Sequence, residues 1–170
     1  MSTPANAKAT TYTLLLQQVR SLLDGETNMV ANLANVSALL KQELEQINWV
    51  GFYLWQHHEL ILGPFQGRPA TVHIGLGRGV CGTAAEQRAT VLVDDVHAFP
   101  GHIVCDPVSR SEIVVPLVYA NNLLGVLDID SPITNRFDTE DQHFLEQIAQ
   151  IVLEQTDWHD HLQSLAHEAH

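Results

Sequence analysis

Two cysteines, three acidic residues and a run of glycines are the parts of this chain whose types and spacing could do chemistry. Cys105 sits in Gly101-His102-Ile103-Val104-Cys105-Asp106, a stretch opened as a loop by Pro100-Gly101. A loop cysteine bracketed by ionisable residues is a candidate nucleophile, whereas a structural cysteine usually sits inside an element. Cys81 lies in Gly77-Arg78-Gly79-Val80-Cys81-Gly82, where the glycines let the backbone turn sharply and pass close to a pocket. From the residues alone, two readings stand for these cysteines: buried small hydrophobe or redox actor. Asp128 and Asp130 flank Ile129, so in a strand both carboxylates face one side. If Asn121-Asn122 turns the chain back, Glu112 falls opposite Asp130 or Ser131, and three carboxylates crowd one end of a sheet. Such crowding raises carboxyl pKa values. It suits either a solvated sheet end or a pocket for a cationic group, or for an oxygen that must receive a proton.

Other motifs carry less. The glycine run fits G-x-G-x-x-G, follows a strand candidate and precedes Asp94 and Asp95 at the close of the next strand, imitating a dinucleotide fingerprint. The helical stretch Thr83 to Arg88 is too short to cross a sheet and hold a pyrophosphate, and the surrounding strands read as hairpins. His167-Glu168-Ala169-His170 is one residue short of the zinc-binding H-E-x-x-H spacing and, with His159 and His161, reads as a solvated helix end. No G-x-S-x-G element is present, so a nucleophile-elbow serine hydrolase has no support.

The elements that must position these residues follow from periodicity. Leu15, Val19, Leu22 and Leu23 recur at helical spacing with Gly25 as a stop, and Val30, Leu33, Val36, Leu40 and Leu44 make a second helix. Trp49 to Trp55 and Glu59 to Phe65 read as strands joined at His57-His58. Further strands are expected at Thr71 to Ile74, Thr90 to Val93, Ile113 to Tyr119 and Leu123 to Ile129. Asp138 is the expected N-cap of a last long helix, with Asp141 completing the cap and Phe144, Ile148, Ile151 and Val152 as its apolar stripe. The fold class is α+β: a mostly antiparallel central sheet, N- and C-terminal helices on one face, a looped pocket on the other. One domain spans residues 1–170, with a core over about 10–155 and a polar helix end or tail over 156–170.

Composition bounds the function. The 170 residues hold 20 Asp and Glu against 8 Lys and Arg, a formal net charge of −12, which repels nucleic acid and anionic membrane. A hydrophobic content of 45% excludes a disordered chain, and two cysteines are too few for a secreted disulfide scaffold. With no apolar run of signal-peptide or membrane-span length, a soluble cytoplasmic protein is expected.

Taken together, Gly77 to Ala84, Asp95-Val96-His97, Pro100 to Asp106 and Ser111 to Leu117 resemble the free methionine-(R)-sulfoxide reductases, enzymes built on a single GAF domain. Asn48 to Tyr53 and Gly125 to Ser131 extend the likeness over about residues 10 to 155. The resemblance implies that Cys105 attacks the sulfoxide sulfur. It implies that Glu112, Asp128 and Asp130 hold the substrate's ammonium group and sulfoxide oxygen, and that Trp49 is the wall for the S-methyl group, with Tyr53 on the same strand face. It also implies a reductase that uses free methionine sulfoxide as substrate and thioredoxin as reductant, with no metal and no organic cofactor. The family often dimerises, and the N-terminal helices offer a face for a homodimer. One departure stands out: many members carry a third, resolving cysteine where this chain has Thr71. An intramolecular Cys81–Cys105 disulfide after turnover is therefore expected, with an external thiol as the other route. The competing reading is a non-catalytic small-molecule-binding GAF sensor.

Overall fold

Two pairs of residues with left-handed backbone reverse the chain: His57-His58 (φ 51° and 62°) and Ala120-Asn121 (φ 48° and 64°). Positive φ at both central positions is the geometry that lets a two-residue turn match the twist of its strands. In the computed structural model, which describes residues 4–103 and 106–169, these turns join β1 (Trp49–Gln56) to β2 (Glu59–Gln66) and β5 (Ser111–Tyr119) to β6 (Asn122–Ser131). The second turn lies one residue earlier than the sequence suggested. Asn122 is not in the turn; it pairs with Tyr119 as the first rung of the ladder and its amide donates to Ala120 O at 3.0 Å. The remaining elements are α1 (Pro4–Leu23), α2 (Met29–Glu43), β3 (His73–Gly75), α3 (Gly79–Gln87), β4 (Val91–Val93), α4 (Thr139–Gln155) and α5 (His159–Glu168).

The strands form one six-stranded sheet in the order β3-β2-β1-β6-β5-β4, with every pair antiparallel. Side-chain alternation divides it into two faces. Val50, Phe52, Ile113, Val115, Leu127 and Ile129 pack with Leu15, Val19, Leu33, Val36, Ile148 and Val152 of α1, α2 and α4. The opposite face carries Trp49, Tyr53, Val114 and Val126 against Val80, Cys81, Ala84 and Ala85 of α3. Central β6 is consequently buried from Leu123 to Ser131, on both faces, so its two aspartates have no route to solvent along the strand.

The fold is thus the expected α+β sandwich, with helices on one face and the glycine-run helix on the other. α3 joins β3 and β4, which occupy opposite edges of the sheet. It crosses the face and does not connect neighbouring parallel strands, which is why the glycine run is no dinucleotide fingerprint. None of the described helices is long and apolar enough to cross a membrane. The C-terminal stretch departs from its expectation at one histidine. His159 and His167 are exposed on α5, as a solvated helix end requires, and His170 lies outside the described residues, but His161 is buried beside Trp158, its Nε2 3.2 Å from Leu124 O. Glu168 holds the β1–β2 turn, accepting from His57 N at 2.8 Å.

The helix layer is tied together at one buried carboxylate. Asp138 caps α4 and Asp141 returns the bond to the Asp138 N–H at 2.8 Å, the reciprocal box expected of that spacing. Asp141 is fully buried and also accepts from Tyr12 Oη and Lys8 Nζ, each at 2.6 Å, and from Arg136 at 3.2 Å. Tyr12 stacks on Phe144 with ring centroids 4.9 Å apart. Removing one partner from such a cluster leaves uncompensated buried charge, so Asp141→Ala should lose about 3–5 kcal/mol in urea denaturation. Exposed Asp138→Ala should lose only about 1 kcal/mol as a lost cap. Equal losses would refute a clamp centred on Asp141.

Candidate active site

The hairpin register places Glu112 opposite Asp130 and Val114 opposite Asp128, while β1 sets Trp49 opposite Asp130 and Gly51 opposite Asp128. Glu112, Asp128 and Asp130 therefore share one face, as the alternation implied. All three are buried and line one narrow pocket in the sheet face, together with Tyr53, Cys81 and Asp106. Arg78 and His102 stand at the same cavity.

Gly51 and Gly82 make room for this arrangement. A Cβ at Gly51 would sit 2.2 Å from Phe65 Cβ and 2.9 Å from the Trp49 ring, so the gap is filled by stacked aromatic rings. Trp49 stacks on Phe65 and Tyr53 at centroid distances of 5.2 and 6.0 Å and donates its indole N–H to Arg68 O at 3.0 Å. Tyr53 lines the cavity, its hydroxyl donating to Thr71 O at 2.9 Å, whereas Trp49 stacks against it without lining the cavity. A Cβ at Gly82 would come within 2.4 Å of Gly75 O. Its absence lets the first turn of α3 settle on the sheet and brings Cys81 Sγ to 4.0 Å from Glu112 Oε1.

Cys105 and its neighbour Val104 lie outside the described residues. Ile103 and Asp106, on either side, both line the cavity. The loop returns to the sheet through a contact not assigned from the sequence. Asn48, just before β1, donates its amide to Asp106 Oδ2 at 3.0 Å and Ser109 Oγ at 2.9 Å, and its backbone N–H donates to Asp130 O. No local spacing signals this residue, because its partners are remote in the chain.

The electrostatics are unusual. No ion pair among the described residues involves Glu112, Asp128 or Asp130. Asp128 Oδ1 and Asp130 Oδ1 are buried without a hydrogen-bond partner. Burial pushes the Glu112 carboxyl well above its usual range, and the neighbouring Asp128 and Asp130 add to it. Asp130 is raised by burial and then by Asp128, and Asp128 is raised by burial. Burial raises the Cys81 thiol, followed by the charges of Asp128, Glu112 and Asp130. Burial, then His97, lowers His102, so its imidazole is neutral at neutral pH. The cavity therefore offers bound protons, a protonated thiol and crowded carboxyls that no described cation pairs. That combination suits a ligand carrying a positive group and an oxygen able to receive a proton.

The chain matches the GAF domain family over residues 9–153. It is 50% identical over 158 residues to the free methionine-R-sulfoxide reductase of Escherichia coli, covering 91% of this chain and 96% of that one. It is 47% identical over 146 residues to the free methionine-R-sulfoxide reductase of Saccharomyces cerevisiae, 81% of each chain. Among solved structures, the fRMsr of Staphylococcus aureus in complex with substrate superposes with a TM-score of 0.82 at 58% identity, over 85% of this chain and 94% of that one.

Carboxyls with raised pKa values in the folded state contribute stability below their unfolded values and lose it as pH rises through the folded ones. With the cavity free of ligand, the unfolding free energy should therefore fall as pH rises from about 4.5 toward neutrality, and Glu112→Gln should flatten that fall. Urea denaturation across the range tests this; an identical pH slope in Glu112→Gln would mean that Glu112 is not the group involved.

Proposed function

The chain belongs to the free methionine-(R)-sulfoxide reductases, which are built on a single GAF domain, and on that footing we propose that it reduces free L-methionine (R)-S-oxide to L-methionine. The observation that carries the reading is the set of buried carboxylates, without a cationic partner among the described residues, lining one cavity with Cys81 and Tyr53. A free amino acid supplies the missing cation in its ammonium group, which a protein-bound methionine has given up to an amide. Asp128 and Asp130 are the groups with unpartnered oxygens for that ammonium. Glu112, held protonated by burial and its neighbours, is the donor for the sulfoxide oxygen. Tyr53, with Trp49 stacked against it, forms the aromatic wall for the S-methyl group.

The chemistry balances with thiols alone. The Cys105 thiolate attacks the sulfoxide sulfur while the oxygen takes a proton. Two electrons leave the Cys105 sulfur, the methionine sulfur is reduced, and the oxygen ends on Cys105 as a sulfenic acid. Cys81 then attacks this sulfur, water leaves with the sulfenic oxygen, and a Cys81–Cys105 disulfide forms. A thioredoxin dithiol reduces it by exchange. Cys81 needs a base, because its environment holds the proton on sulfur. Glu112, once deprotonated by the first step, lies 4.0 Å away and serves. With threonine at position 71, no cysteine stands there to intervene between the two thiols. A reducing cytoplasm suits this cycle, and exposed Leu14 and Leu22 of α1 offer apolar surface for a second copy of the chain.

Thioredoxin-coupled NADPH consumption with resolved epimers of free methionine sulfoxide tests the reading. Turnover is expected on the R epimer alone, abolished by Cys105→Ser and lowered about 10²–10⁴-fold in kcat by Glu112→Gln. Activity surviving Cys105→Ser, or equal on both epimers, would overturn it and favour a binding role. Mass spectrometry after turnover without thioredoxin should find the Cys81–Cys105 disulfide. A persistent sulfenic acid on Cys105 beside a free Cys81 thiol would assign resolution to an external thiol instead.

A further inference from the structure

Cys81 offers more than a resolving thiol. Its Sγ and one carboxylate oxygen each from Glu112 and Asp128 all lie within 4.8 Å of one another, and all three residues are buried. A second observation points to a cation: Asp130, 7% exposed and lining the same cavity, has an Oδ1 with no hydrogen-bond partner. We infer that this cavity is also a binding site for a zinc-class divalent cation, held by Cys81, Glu112 and Asp128, which occupies the same space as the substrate's ammonium group and so blocks the enzyme.

The donor set selects the metal. One thiolate sulfur and two carboxylate oxygens match Zn²⁺ and its spectroscopic stand-in Co²⁺, whereas Mg²⁺ and Ca²⁺ prefer oxygen alone. Zinc–sulfur and zinc–oxygen bonds of about 2.3 and 2.0–2.2 Å put tetrahedral ligands roughly 3.5 Å apart. The three donors need to close by about an ångström, within reach of side-chain rotation, leaving a fourth position to water or Asp130. On binding, the S–H bond of Cys81 and the O–H bond of the Glu112 carboxyl break, both protons pass to solvent, and the thiolate and carboxylate lone pairs coordinate the metal; no electron is transferred. A divalent ion also cancels the repulsion among carboxylates that no lysine, arginine or histidine pairs among the described residues.

The cation site stands on the cavity geometry and does not depend on the reductase reading. The test is anaerobic titration of Co²⁺ into reduced Cys105→Ser protein, in which Cys81 is the remaining cysteine. A thiolate-to-cobalt charge-transfer band should appear and saturate at one equivalent, and Zn²⁺ should displace it. The band should vanish in Cys81→Ser/Cys105→Ser. Affinity should drop at least tenfold in Glu112→Gln/Cys105→Ser, which keeps the thiol and guards against misfolding in the first variant. No band, a band surviving loss of Cys81, or an unchanged affinity in the Glu112 variant would each overturn the site. Free methionine sulfoxide should compete the metal away. A saturable band that resists the sulfoxide would overturn the shared occupancy and count against the substrate assignment, not against the metal site.

Discussion

Three carboxylates buried side by side at one end of the sheet, with no ion-pair partner among the described residues, are the constraint to which the rest of the structure answers. Placing like charges in a low-dielectric cavity destabilises the fold unless they keep protons or gain a cation. The molecule tolerates this because the other sheet face is a continuous apolar core shared by α1, α2 and α4. One face of β5 and β6 packs into that core, and the other combines Val114 and Val126, packed on α3, with the three carboxyls.

Asp141 and Asp128 show the two treatments that one residue type can receive. Asp141, fully buried, meets Tyr12, Lys8, Arg136 and the Asp138 N–H, so its oxygens are satisfied and it fastens α1 to α4. Asp128, almost as buried, has an Oδ1 without a hydrogen-bond partner, and its carboxyl neighbours are other acidic groups and the Cys81 thiol. The first pattern serves architecture. The second leaves interaction energy for a ligand to collect, and it is what makes the cavity a site.

Much of this was legible in the sequence because it depends on neighbours along the chain. Period-2 alternation put Glu112, Asp128 and Asp130 on one face, and the hairpin set Glu112 opposite Asp130 although the turn lies at Ala120-Asn121. The Asp138-x-x-Asp141 spacing announced the α4 cap. Other features were hidden because they depend on partners far away in sequence. Asn48 meets Asp106 and Ser109 across 58 and 61 positions, and His161 meets Leu124 O across 37. The histidine-rich C-terminal stretch looked solvated because its own composition is polar; Trp158 and the start of central β6 decide that His161 is buried.

The sequence by itself determined the strands and the helices up to α4, the shared face of the carboxylates and the family, since each is written in local spacing and in short motifs. Only the tertiary structure decided that those carboxylates are buried, that the Cys81 thiol points at Glu112, that Tyr53 lines the cavity while Trp49 stacks against it, and that none of the described cations pairs with the trio. Burial and counter-charge depend on what packs against a residue from elsewhere in the chain, and that is set by the close-packing of whole layers.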